Sequence, residues 1–332
     1  CQTDRWSRRT REWLAAGGKG CTWLYPATAW PPGDNTRSGV APEYQAPMHF
    51  LNNKWFWHSL VFWTCSRLPL QGDNMITMIR FLITLLAVLA FTAHASDLAK
   101  EKRWADQVVD AILDGDAVWL DDGSSEFLGI YTEAGEDKSR AVIVMHGTGI
   151  HPDWQQVVQP LRVGLTEHNW NTLSIQMPIL PNEAEYPEYA PLYDEVAPRI
   201  NAAIKYLQDN GSSNIVLIGH SQGAAMTAYY LSTSKQDVNG FVAIGMASFA
   251  DDPRMNSIKA LEKINVPVLD LYGDDDLEDI LNSSRARSES AEKAGNKDFT
   301  QVKLSGSNHF FDGKEDELVE TVAGWLDGLS DK

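Results

Sequence analysis

The stretch that most restricts this 332-residue chain runs from Asn214 to Ser232. Ile215-Val-Leu-Ile218 is a continuous apolar run, the pattern of a strand buried on both faces. Gln222 to Ser232 is rich in alanine and reads as a helix. Only Gly219-His220-Ser221 separates the two, so the chain must pass from strand to helix within three residues. Gly219 and Gly223 allow a turn that tight, because a Cβ at either place meets neighbouring backbone. A strand covered on both faces calls for a parallel sheet between helical layers.

The chain around this stretch repeats the pattern. Ala117–Leu120 and Phe127–Thr132 read as two short strands joined by a turn at Asp121–Ser125. Strands are expected at Ala141–Met145, Thr172–Gln176, Phe241–Gly245, Val266–Tyr272 and Phe299–Leu304. Helices are expected at Trp154–Glu167, Ile200–Leu207, Ile258–Ile264, Ser283–Ala294 and Glu315–Leu329. Strands alternating with helices predict a single-domain α/β fold with a mostly parallel, doubly wound sheet. The first two strands suit an antiparallel edge. Ile175–Arg199 holds five prolines and reads as a long irregular segment, and such loops are often functional. Only about ten residues separate Gly245 from the helix near Ile258, which leaves no room for a large cap there.

The N-terminal part reads differently. Arg80 precedes 13 residues from Phe81 to Ala93 that are mostly apolar, and Ala93-His94-Ala95 follows. A positive residue, a short apolar core and small residues make a secretory signal over residues 75–95, cleaved near Ala95. The run is shorter than the ~17–25 residues of a spanning helix, so no stable membrane span is expected after cleavage. Residues 1–74 lie upstream of that signal, hold seven of the 12 tryptophans without periodicity, and are expected to be a non-native or disordered extension. The expected mature domain is 96–332, periplasmic or secreted. All three cysteines precede it, which excludes disulfide and thiol chemistry from that domain. From Ser96 onward there are 19 Lys and Arg against 40 Asp and Glu, a net charge of −21. A domain this acidic repels nucleic acid and anionic membrane surfaces.

Gly219-His-Ser-Gln-Gly223 is G-x-S-x-G in the strand–turn–helix setting that gives the motif meaning. The turn presents the Ser221 hydroxyl at the carboxyl end of the sheet. A hydroxyl needs a base, and the base an orienting carboxylate, in the chain order serine, acid, histidine. His309 is the sole histidine after Ser221, and it lies between the last strand and the last helix. The acid is Asp276 by its spacing from Gly273. Asp275, Asp274 and mid-strand Asp270 are the alternatives, and Asp251 or Asp252 an outside one. The Gln222 amide, at the start of a helix, is one oxyanion donor. The second comes from His146-Gly-Thr-Gly-Ile-His151, with Thr148 preferred and Gly149 next. His146 is expected to be structural, and His151 to position or pack. No cofactor and no metal site is implied.

These residues resemble the α/β-hydrolase superfamily over Ala141 to Leu329. His146-Gly-Thr-Gly-x-His-Pro-Asp-Trp154, Trp170–Pro178 and Pro267–Gly273 look like a bacterial branch of exported hydrolase-like proteins of undefined function. The resemblance implies carboxylic-ester hydrolysis and names no substrate. It also implies that the serine is not kept by every member of the branch; this sequence keeps it. Two rival readings follow: a non-catalytic envelope binding or scaffold protein, and a cofactor-free haloperoxidase or lyase. The substrate expected is a small acyl compound. Met177–Arg199 carries Glu183, Glu185, Glu188, Asp194 and Glu195 with Tyr186, Tyr189 and Tyr193, a negative aromatic rim that suits neutral or cationic substrates.

Overall fold

The computed structural model describes residues 96–234 and 237–330. The predicted signal and the upstream extension lie outside them. The elements run α1 (Leu98–Val109), β1 (Asp116–Asp121), β2 (Glu126–Thr132), β3 (Arg140–Met145), α2 (Val158–Glu167) and β4 (Asn171–Ile175). A 3₁₀ segment (Tyr186–Glu195) leads into α3 (Val196–Asp209), β5 (Asn214–His220), α4 (Gln222–Thr233), β6 (Gly240–Ile244) and α5 (Ser257–Leu261). Then come β7 (Val268–Asp275), α6 (Glu278–Ala294), β8 (Phe299–Asn308) and α7 (Glu315–Ser330).

The eight strands form one sheet in the order β1-β2-β4-β3-β5-β6-β7-β8. β2 runs antiparallel to both its neighbours, and every pair from β4 to β8 is parallel. The antiparallel edge and the doubly wound core are as the apolar runs predict. Side chains on a strand alternate between faces, and the two cores follow from that. Ile143, Leu217 and Ala243 face a layer built from α3, α4 and α5. Val142, Val144, Ile218 and Ile244 face α2 and α7. The continuous apolar runs are the signature of this double burial.

Three expectations need correction. The helix predicted from Trp154 begins only at Val158, because Val157 adopts φ 61°. Ile175–Arg199 is not irregular throughout: Tyr186–Glu195 is 3₁₀-helical, and α3 starts at Val196 with Pro198 in its first turn, where a missing N–H costs little. The tyrosines of that segment do not line an exposed rim together, since Tyr189 and Tyr193 are buried and only Tyr186 is partly exposed, while Glu183, Glu185 and Glu188 face solvent. α1 went unpredicted. Asp97 caps it by accepting from the Lys100 amide at 2.9 Å.

Candidate active site

The site is assembled from the ends of β5, β6, β7 and β8. Ser221 sits between β5 and α4 at φ 54° and ψ −119°, a conformation a non-glycine residue adopts only when its surroundings enforce it. Those surroundings are close-packed. A Cβ on Gly219 would lie 2.6 Å from Ala224 backbone, and one on Gly223 2.6 Å from the Met145 carbonyl oxygen. The Ser221 amide donates to the Ile244 carbonyl at 2.8 Å, fixing the turn to β6.

The Ser221 hydroxyl lies 3.0 Å from His309 Nε2, and His309 Nδ1 lies 2.7 Å from Asp276 Oδ1. With Nδ1–H donating to the carboxylate, Nε2 is left to accept from the hydroxyl. Asp276 also accepts from the Leu277 amide at 2.7 Å and the Gly273 amide at 3.3 Å. Burial works against its ionisation, but the bond from His309 and these two amides hold its carboxyl below the usual carboxylate range.

The other carboxylates do not meet the imidazole. Asp270 is fully buried and paired with Arg287 Nε at 2.8 Å, and Gln301 donates to the same oxygen. Asp274 accepts from the Ser305 hydroxyl at 3.0 Å and the Gly306 amide at 2.7 Å, closing a turn. Asp275 is exposed opposite Asn308. Asp252 is tied to Arg254, and Asp251 is exposed.

The 146–150 loop lies against the serine. A Cβ on Gly147 would come within 3.2 Å of Ser221 Cβ, so Thr148 follows directly on the residue that touches the elbow. Gly149 turns the loop at φ 71°, beside the Lys100 ammonium and the Tyr189 hydroxyl. Gln222 occupies the first position of α4, where an amide has no intrahelical acceptor.

His146 clamps this loop. Its Nδ1–H donates to the Gly147 carbonyl at 2.8 Å, and its Nε2 accepts from the Met177 amide and the Gln176 side chain, both at 2.9 Å. Burial pushes its pKa down to about 3, so it stays neutral. His151 is lowered to about 4, also by burial, and its ring packs against Trp104 and Trp154 at 4.8 and 5.3 Å. Asp153 takes two bonds from buried Arg162, at 3.1 and 2.6 Å. The His-Pro-Asp-Trp element therefore braces α1 and α2 around the loop.

Two contributors were missed in the sequence. Gly245, at the end of β6 with φ 56°, leaves the space that His309 fills, since a Cβ there would sit 3.0 Å from the imidazole. A glycine closing a predicted strand was the available signal. His220, next to the serine, stacks on His309 and bonds to its carbonyl at 3.0 Å. Nothing in the sequence marked that pairing.

A surface depression of about 610 Å³ is bordered by Leu180, Glu183, Glu188, Asp252 and Arg254, and its lining contains none of Ser221, His309 and Asp276. Among the described residues no group of three or more His, Cys, Asp or Glu converges as a metal site. No helix among them is long and apolar enough to cross a membrane.

Comparison with known proteins agrees on the fold. Est1E from Butyrivibrio proteoclasticus superposes with a TM-score of 0.52 at 16% identity, covering 65% of this chain and 99% of its own. An alpha-beta serine hydrolase homologue from Coxiella burnetii gives 0.52 at 20%, covering 64% and 98%. The Pyrococcus furiosus esterase Pf2001 gives 0.52 at 18%, covering 68% and 95%. The chain thus has the α/β-hydrolase fold, at identities that speak to architecture alone. No curated protein matches it by sequence. A family model described as protein of unknown function DUF3530 matches residues 92–197 and 191–328, and the chain belongs to that family.

Proposed function

We propose that this chain is an exported serine hydrolase that cleaves a carboxylic ester or a related acyl bond. The observation that carries the proposal is the continuous hydrogen-bonded line from Ser221 through His309 to Asp276, starting on a strained elbow. Ser221 Oγ attacks the carbonyl carbon while His309 Nε2 takes its proton. Asp276 holds the imidazole in the tautomer that can do so and balances the charge it gains. The tetrahedral oxyanion is met by the amides of Gln222 and Thr148, or of Gly149 if the carbonyl sits further along the loop. His309 then returns the proton to the leaving alcohol. Water repeats the cycle on the acyl-enzyme, with the same base.

The substrate class follows from charge. The exposed acids Glu183, Glu185 and Glu188, on a domain of net charge −21, favour neutral or cationic acyl compounds over anionic ones. Export rests on the arginine, apolar run and Ala-x-Ala order of residues 80–95.

A fluorophosphonate probe tests the chemistry. Labelling of the wild type and its loss in Ser221→Ala support the hydrolase. An unlabelled wild type with the same fold would leave an envelope scaffold as the better reading.

A further inference from the structure

Ser96, the residue after the Ala-x-Ala sequence, is nearly buried at 8% exposure. Its main-chain nitrogen points at a carboxylate: Glu195 Oε1 is 3.2 Å away and Oε2 3.4 Å. The next residues are fastened to the same region. The Asp97 amide donates to the Ile179 carbonyl at 2.7 Å, and Lys100 Nζ donates to the Leu180 carbonyl at 2.8 Å. Glu101 pairs with Arg199 at 2.9 Å and accepts from the Ile179 amide.

The charges here do not balance. Glu195, Glu101, Asp97, Asp122 and Glu183 supply five negative charges around the start of α1. Arg199, which also reaches Asp122 at 3.4 Å and the Ser96 hydroxyl at 3.4 Å, Lys100 and Arg103 supply three positive ones. Asp97 is used as the cap of α1, and Glu101 is held by Arg199. Glu195 is the carboxylate left facing the Ser96 nitrogen. An amide offers it one N–H and no charge, whereas an α-ammonium offers three donors and a full positive charge.

We propose that hydrolysis of the peptide bond before Ser96 creates an α-ammonium that forms an ion pair with Glu195, and that this pair latches α1 onto the 176–195 segment. The bond broken is the Ala95–Ser96 amide. Water supplies the oxygen that ends the released piece as a carboxylate, and its two protons complete the ammonium; a leader-removing peptidase is the catalyst. Glu195 immediately precedes α3, and Gln176 and Met177 hold His146, so the latch tightens the wall behind the 146–150 loop. The inference rests on the export reading and is independent of the hydrolase chemistry.

The test uses the full chain with a site-specific protease sequence replacing residues 89–95, so that cutting leaves Ser96 first. Unfolding midpoints are measured before and after cutting, in wild type and in Glu195→Gln. Cutting the wild type is expected to raise the midpoint by about 3–8 °C at pH 7. An α-amine titrates near about 7.7–8.0 when free. Glu195 raises that value in the folded state, so the gain is full below pH ~7.7 and is lost as pH rises through the raised value. In Glu195→Gln the gain is expected to vanish. A gain equal in both proteins, or one that persists unchanged at pH 10, overturns the ion pair, as does no gain at all. Should Glu195→Gln fail to fold, the wild-type pH profile decides alone. The exported natural protein is sequenced separately. A first residue other than Ser96 removes the latch from the cell, whatever the engineered chain does.

Discussion

The imidazole of His220 lies against that of His309, ring centres 4.9 Å apart, and its Nε2–H donates to the His309 carbonyl. The residue beside Ser221 thus holds the backbone of His309. Burial lowers the His220 pKa to about 3, so this prop keeps one tautomer throughout the neutral range. His220→Ala is expected to lower kcat by about 10–100-fold with little change in KM, the signature of a misplaced base. His220→Gln, which can still donate to the carbonyl, is expected to recover part of the loss. An unchanged kcat in both variants would show that the His309 backbone is fixed without it.

The acid can be identified by contrast. Asp276→Asn is expected to cut kcat by about 10⁴-fold with the fold retained, since the wrong tautomer then faces the serine. Asp270→Asn is expected to spare kcat. Removing only Arg287, as Arg287→Met, leaves a buried carboxylate unpaired and is expected to cost about 3–5 kcal/mol. Chemical unfolding and steady-state kinetics on the three variants separate the roles.

Strain at the elbow has its own readout. Ser221→Gly is expected to be more stable than Ser221→Ala by about 1 kcal/mol, because glycine alone takes φ 54° without cost. Both are expected to be inactive. Equal stability in denaturant melts would mean that the turn carries no strain.

Glycines elsewhere sort by their surroundings. Gly219→Ala is expected to destabilise by about 3 kcal/mol or more, its new methyl falling 2.6 Å from Ala224 backbone. Gly324 and Gly328 are exposed in α7 with nothing near them, and alanine at each is expected to add about 0.5–1 kcal/mol. Thermal melts of the three single variants check the ordering.

Acid sensitivity follows from the neutral histidines. His146 and His220 fall to about 3 and His151 to about 4, against 6.5 unperturbed. With folded values depressed, the unfolded chain takes up the protons first, so stability falls as pH drops below 6.5. Near pH 5 three protons give a slope of at most about 4 kcal/mol per pH unit. His151→Phe, which keeps an aromatic ring between the tryptophans, is expected to remove about one proton from that slope. Denaturation at pH 4.5, 5.5 and 6.5 measures it.

The sheet was legible because its strands are buried on both faces, and unbroken runs such as Ala141–Met145 have few alternatives. Ser221 stood out through its setting, and His309 because no other histidine follows it. The acid was not legible to the residue. Asp274, Asp275 and Asp276 are consecutive, and an irregularity in the β7–β8 pairing between Gly273 and Asp275 decides which one reaches the imidazole. α1 escaped notice because its buried face includes Lys100 and Glu101, whose charges hide the apolar period. Those charges are satisfied by Leu180 and Arg199, far along the chain. Gly245 and Gly147 matter through neighbours far along the chain, His309, Asp276 and Ser221, which no local pattern encodes.

Among the described residues β8 is the last strand of the sheet and is paired on one side only, yet it leads directly to His309. Much of it faces solvent, and beyond β7 its end is pegged by Phe311, buried at φ 55° in the layer under α7. Ser221 follows a strand buried on both faces, whereas His309 follows one at the rim. Warming such a molecule frays the rim first. Catalysis would then switch off at a temperature where β5 and its elbow are still intact, and cooling would restore it without the chain ever having lost its core.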